Sequence, residues 1–177
     1  MNRIRITSGE LGGRFIKTLP DLRPTSELVR KAIFDILGDA VQGHTFLDLY
    51  AGSGSVGFEA LSRGVTQATF IDSSPSHIQL IKSNALELSL VGQSIIRKMD
   101  VSGFLEANQT PYDFIFADPW YETILDITAW DSPNLLAPEG MIIVEHDTKV
   151  EPISGDNLRV LNRKRYGGTA LTFYVRA

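Results

Sequence analysis

Cysteine is absent from the chain. Disulfides, zinc–thiolate sites and thiol nucleophiles are therefore excluded, and the composition suits a reducing compartment. No apolar run approaches 18 residues and the N-terminus carries no signal-peptide core, so a cytoplasmic protein with no membrane partner is expected. Histidine is scarce: His44, His77 and His146 are scattered, each reads as a surface or strand-end residue, and no metal is expected. Internal repeats, low-complexity tracts and long linkers are missing as well. What remains is 177 residues with an ordinary globular balance, 43% hydrophobic and 21% charged, enough to form one domain with its own core.

The formal net charge of −4 conceals an uneven distribution. Residues 1–31 hold seven Lys/Arg against three Asp/Glu, residues 149–177 hold six against two, and the middle holds four against sixteen. One reading is uneven surface charge; the other is two basic ends forming a patch for a polyanion beside an acidic pocket.

The hydrophobic pattern changes along the chain. "RIRITSG" and "GGRFIKTL" alternate around a glycine-containing turn and predict a β-hairpin. "LRPTSELVRKAIFDIL" predicts a helix capped by Thr25 or Ser26, with Leu28, Val29, Ala32, Ile33, Ile36 and Leu37 at helical spacing. From residue 45 strands and helices alternate. "TFLDLY", "QATFID", "SIIRKM", "YDFIFA" and "GMIIVEH" read as strands. "VGFEALSRG", "SPSHIQLIKSNALELSL" and "VSGFLEAN" read as helices, the second with Pro75 in its first turn and Gly92 as its stop. Residues 122–137 are expected to be helical in part, limited by Pro133 and Pro138. "LRVLNRKRYG" and "TALTFYVRA" predict a closing hairpin. The fold class that follows is α/β, a Rossmann-like, open and mostly parallel seven-stranded sheet with a C-terminal antiparallel hairpin. Residues 1–38 form an extension with its own hairpin, and 39–177 the core of a single domain.

Ligands of such sheets sit at the carboxyl ends of the strands. There the chain places "DLYAGSGSVG", in which Gly52, Gly54 and Gly57 satisfy G-x-G-x-x-G between a strand and a helix. Asp72, about 20 residues further on after the second strand, suits a ribose diol. These features indicate an adenosine-containing cofactor and leave nicotinamide dinucleotide and S-adenosylmethionine both open. Asp48 favours the second without excluding the first: a carboxylate at the first strand's end repels a pyrophosphate and welcomes a sulfonium or α-amino group. Asp100 can accept from an adenine amine, cap the helix that follows it, or do both. At the end of the fourth strand, "IFADPWYE" sets Asp118 and Pro119 beside two aromatics, Trp120 and Tyr121, which otherwise read as core rings covering the sheet end.

"DLYAGSGSVGFEALSRG" with "DPWY" resembles the class I S-adenosylmethionine-dependent methyltransferases. More narrowly, "GGRFIKTLPDLRPTSELVRKAIFDIL" and "RYGGTALTFY" are similar to the opening and closing signatures of the RsmD-type methyltransferases, which modify a guanine N2 amine in small-subunit (16S) ribosomal RNA. The resemblance spans nearly the whole chain. It implies that Asp48, Gly52, Ser53 and Gly54 hold the methionine part of S-adenosylmethionine, Asp72 the ribose, and Asp100 the adenine. It implies that Asp118, the Pro119 carbonyl and the Tyr121 ring hold the target base. Arg23, Pro24 and Thr25 belong to a segment near both ligands, although "RPTSE" also reads as a plain helix entry. Arg14, Arg23, Thr25, Arg30, Trp120 and Arg165 are the candidate RNA contacts, the run Arg163–Arg165 reading equally as a solvated strand end. The family motif is Asp/Asn-Pro-Pro-aromatic, so Trp120 stands where a second proline is usual, and Asp72 stands for a more usual glutamate. The implied partner is ribosomal RNA, free or within a small subunit or assembly intermediate, met by a monomer. Alternatives are an adenine-N6 methyltransferase, a catalytically silent RNA-binding assembly factor and, more distantly, a dinucleotide oxidoreductase.

Overall fold

A computed structural model describes residues 2–23, 25–119 and 125–177. An antiparallel hairpin, β1 (Asn2–Arg5) and β2 (Phe15–Thr18), precedes helix α1 (Glu27–Leu37). The core runs β3 (Thr45–Leu49), α2 (Ser55–Ser62), β4 (Gln67–Asp72), α3 (Pro75–Glu87), β5 (Ser94–Lys98), α4 (Val101–Ala107), β6 (Tyr112–Ala117), β7 (Leu136–Asp147), β8 (Leu158–Tyr166) and β9 (Thr169–Arg176). Seven strands form one sheet in the order β5-β4-β3-β6-β7-β9-β8. Its first five members are parallel, and β9 pairs antiparallel with both β7 and β8. This is the class I methyltransferase fold expected from the sequence. The order reverses between β3 and β6, so a crevice is expected outside their carboxyl ends.

Alternation along the strands assigns residues to two cores. Phe46, Phe70, Phe116, Ile143 and Phe173 face α1, α2, α3 and the hairpin, while Leu47, Ile71, Ile115 and Val144 face α4 and residues 125–135. Extending the first set by two residues along each strand reaches Asp48, Asp72, Asp118 and Glu145. Four carboxyls thus leave the same sheet face at the ends of four neighbouring strands.

Helix α1 starts at Ser26, whose hydroxyl accepts from the Val29 N–H at 3.2 Å, a cap worth about 1 kcal/mol. Leu28, expected on the buried stripe, is 64% exposed, and Arg30 takes the inward place at 2%. The Arg30 guanidinium donates to the Thr25 carbonyl at 2.6 Å and to the Arg5 carbonyl at 2.9 Å. Helix α3 ends at Glu87 with Leu88 as its C-cap, ahead of the expected stop: Ser89 takes a positive φ of 62°, and Gly92 lies in a following 3-10 turn. The helix expected over 122–137 does not form in its described part. Leu125–Ile127 instead pairs with Ile153 in a parallel bridge, and Leu125, Ile127 and Trp130 fill the second core. The Asp126 carboxylate accepts from the Thr128 N–H at 2.9 Å, a local turn that competes with helix formation. No helix among the described residues is long and apolar enough to cross a membrane.

The hairpin is fastened to the core by buried polar groups. Glu59 on α2 is fully buried and accepts from the Ser8 N–H and Arg63 Nε as well as from Thr7. Asn84 on α3 accepts from the Lys17 N–H at 2.9 Å and donates to the Lys17 and Ser53 carbonyls.

Candidate functional site

The glycine loop is shaped by what packs beneath it. A Cβ on Gly54, whose φ is +77°, would lie 2.7 Å from the Phe58 ring, and one on Gly57 would lie 2.3 Å from the Phe70 ring. Those two rings stack 4.8 Å apart, centre to centre. The glycines therefore let α2 settle on β4 and aim its first N–H groups at the strand ends. Tyr50 turns the loop with a positive φ of 59°, an uncommon conformation for a bulky residue.

A cleft of about 480 Å³ opens above the loop, lined among others by Leu22, Asp48, Tyr50, Gly52, Ser53, Asp72, His77, Asp100 and Asp118. Asp48 is 1% exposed and accepts from the Gly57 N–H at 3.0 Å. Burial holds its carboxyl well above the usual range despite that bond, and the charges of Asp118 and Asp72 push the same way. A buried acid in this state suits a cationic ligand, which would relieve both costs. Asp72 accepts from the Gly52 N–H and the Ser74 N–H, each at 2.8 Å, and meets His77 Nδ1 at 3.1 Å. A carboxylate has about four lone-pair sites, so room remains for a hydroxyl. Asp100 is exposed at the cleft rim and caps α4 by accepting from the Gly103 N–H at 2.8 Å. Gly52, Ser53, Asp48, Asp72 and Asp100 are thus brought together, and Gly54 forms the start of α2 beneath them. The donors and acceptors present fit an adenosyl sulfonium: a buried acid for the cation, a second acid for the diol, and a rim acceptor for the amine.

A second cleft, of about 500 Å³, lies on the other side of Asp118 and is lined by Arg23, Ser26, Val29, Glu145, Asp147, Tyr166 and Thr169 among others. Among the described residues, Arg23 and Asp118 are the two that line both clefts. Burial pushes the Asp118 carboxyl up to about 7, against the opposing pull of the Arg23 guanidinium and the Thr25 hydroxyl. Glu145 is pushed up to about 8 by burial and then by Asp118, with Thr25 and Arg23 again opposing.

Two groups of the site escaped the sequence reading. Glu145 sits in "GMIIVEH", where a single acid in an apolar strand was the available signal. His77, read as a surface residue, is half-buried against Asp72. Among the expected RNA contacts, Arg14 and Arg165 are exposed, Arg23 is exposed at the junction of the clefts, and Thr25 is buried beside Asp118. Arg30 is corrected: its guanidinium is spent on two backbone carbonyls inside the molecule and is not available to a phosphate. The single basic patch is corrected too. The hairpin packs on α2 and α3 toward the β5 edge, with Lys17 paired to Glu87 at 2.8 Å, whereas β8 with Arg163 paired to Glu151 is the opposite edge. The basic ends flank the acidic clefts. Pro24, Trp120 and Tyr121 lie outside the described residues. Among the described residues no cluster of three or more His, Asp or Glu is placed to hold a metal.

Comparison with known proteins agrees with this geometry. The family model described as "Conserved hypothetical protein 95" matches residues 4–175. A putative rRNA methyltransferase of Bacillus subtilis, YlbH, is 36% identical over 97% of this chain and 98% of its own length. The ribosomal RNA small subunit methyltransferase D of Escherichia coli K12 is 32% identical over 83% of this chain and 76% of its own. A solved structure titled "putative methyltransferase yhhF", also from Escherichia coli, superposes with a TM-score of 0.90 at 30% identity, covering 99% of this chain and 98% of the other. Glycine loop, strand-end acids and sheet order therefore come with sequence kinship along the whole chain, which belongs to the Conserved hypothetical protein 95 family of methyltransferases.

Proposed function

We propose that the protein transfers a methyl group from S-adenosylmethionine to the exocyclic N2 amine of a guanine in small-subunit ribosomal RNA. The observation that carries this reading is the position of Asp118, on the boundary of two clefts, one fitted to the cofactor and the other open to an acceptor. The names of the Bacillus and Escherichia relatives point to ribosomal RNA.

S-adenosylmethionine supplies an electrophilic methyl on a sulfonium. Asp48 would meet its cationic end, Asp72 its ribose and Asp100 its adenine. The protein's task is then to make a poor nucleophile react, because the amine lone pair is delocalised into the purine ring. The Asp118 carboxylate and the Pro119 carbonyl would accept the amine hydrogens and favour a pyramidal nitrogen whose lone pair points across the boundary. Holding both reactants there makes the encounter effectively unimolecular. Acceptors fixed before charge develops add roughly 2.7–4 kcal/mol each, by analogy with oxyanion-hole donors.

The test is transfer of labelled methyl to small-subunit RNA and to small-subunit particles, followed by digestion to nucleosides. N2-methylguanosine is expected, lost on Asp118→Ala. N6-methyladenosine would replace guanine by adenine as the target, and full activity of the variant would remove Asp118 from the site.

A further inference from the structure

The register of β6 and β7 pairs Ala117 with Val144, so the next residues, Asp118 and Glu145, face each other across neighbouring strands. Such strands lie about 4.8 Å apart, which brings the two carboxyls into one another's field. Thr25, buried in front of α1, lines the first cleft together with Asp118, and its hydroxyl favours the charged form of both carboxyls. A hydroxyl has one hydrogen and cannot donate to two carboxylates at once. The second contact is favourable only if that carboxyl holds a proton and donates it to the hydroxyl oxygen. Glu145 is the one suited to hold it. It is 5% exposed, and its Oε2 has no hydrogen-bond partner among the described residues, so a full charge there would be left without compensation.

We propose that Glu145 is a positioning residue: in its protonated form it donates to Thr25, and Thr25 in turn donates to Asp118, keeping Asp118 ionised and aimed at the acceptor amine. This rests on the methyl-transfer reading given above. As the N–CH3 bond forms, the S–CH3 bond breaks with its electron pair left on sulfur. The nitrogen, now positively charged, releases one N–H proton to the Asp118 carboxylate. Asp118 then gives that proton to water in the second cleft, while Glu145 and Thr25 keep theirs, and the pair is back in its starting state. One proton leaves per methyl transferred. Among the described residues, the other charged or titratable groups facing the pair are Arg23 ahead of α1, Asp48 on β3, Asp147 on β7 and Tyr166 on β8.

The test is the pH dependence of methyl transfer to small-subunit RNA at saturating cofactor, together with a carbon NMR titration of the side-chain carboxyls without substrate. The wild type should show a bell: activity rises as Asp118 ionises near 7 and falls as Glu145 loses its proton near 8, the two values belonging to the pair. Glu145→Gln retains a donor and should keep the rise, lose the alkaline fall and retain far more activity at neutral pH than Glu145→Ala. Glu145→Ala should lower kcat roughly a hundredfold with little change in KM. Thr25→Ser should behave as the wild type and Thr25→Val as Glu145→Ala. An alkaline fall that survives Glu145→Gln overturns the proposal, as does NMR showing both carboxyls titrating independently in the ordinary carboxylate range. If no RNA is methylated but the NMR titration shows the coupled pair, the shared proton stands and the methyl-transfer reading fails.

Discussion

Glu59 accepts from the Thr7 N–H at 2.8 Å and from the Thr7 hydroxyl at 2.6 Å, across 52 residues of sequence. The same carboxylate holds Arg63, which also donates to the Thr7 hydroxyl at 2.9 Å. Removing it leaves a guanidinium and two backbone N–H groups without their acceptor. Glu59→Ala should therefore cost about 3 kcal/mol, the lower end for breaking a buried pair. At about 2–4 °C per kcal/mol in a domain of this size, the melting temperature should fall by roughly 6–12 °C. Hydrogen exchange at Thr7 and Ser8 should speed up more than exchange in β4. Unchanged protection there would show that the hairpin is held by its apolar contacts instead.

The glycine loop makes a second prediction, steric in origin. Gly57→Ala should destabilise by about 1–3 kcal/mol, because the new Cβ meets the Phe70 ring and the helix must lift. Pairing it with Phe70→Leu should recover part of that loss, a coupling that thermal melts of the four proteins would measure. Strict additivity would show that the ring is not the obstacle.

Asp48 sets stability against binding. Its folded-state pKa lies above that of the unfolded chain, so the folded protein binds more protons between the two values. The contribution of Asp48 to stability therefore decreases as pH rises from about 4 toward neutrality. Asp48→Asn should raise the melting temperature of the ligand-free protein at pH 7 while weakening S-adenosylmethionine binding by roughly 2 kcal/mol or more. A cationic ligand favours the ionised acid, so wild-type affinity should increase with pH. Calorimetry in buffers of different ionisation enthalpy should find proton release on binding, absent in the variant. Pure proton uptake by the wild type would contradict this account.

The exposed cations should behave differently from the buried one. Arg165→Ala should weaken binding of small-subunit RNA evenly across sequences and reduce the slope of log affinity against log salt by about 1. Arg30→Ala should leave that slope alone and lower stability, since Arg30 holds the Thr25 and Arg5 carbonyls. An equal change of slope in both variants would return Arg30 to the RNA surface.

Much of this was legible in the residues because local chemistry and the overall fold agree. Strand–helix alternation, the glycine spacing and acids at strand ends all express one geometry, that of an open, mostly parallel sheet with its ligand at the strand ends. Glu145 was hidden for a different reason. Its meaning depends on β6 and β7 being in register so that it falls beside Asp118, and pairing register is not written in either strand alone. Residues 125–135 misled because Leu125, Ile127 and Trp130 are apolar at spacings that a turn satisfies as well as a helix. Their partner, Ile153, lies beyond the next strand. Arg30 sits on the side of α1 where period alone puts an apolar residue, and only the carbonyls of Thr25 and Arg5 explain it.

The insertion of β9 between β7 and β8 bears on how the protein is made. Strand β8 leaves the ribosome before the strand that must separate it from β7, so the two earlier strands cannot take their final places by pairing with each other. Until β9 emerges, β7 is an open edge carrying Ile142, Ile143 and Val144, a target for misdirected pairing. The row Arg163, Lys164 and Arg165 on β8 is the kind of charged flank that disfavours misdirected pairing. By that physics its charge should disfavour β8 closing on the wrong neighbour before β9 is available.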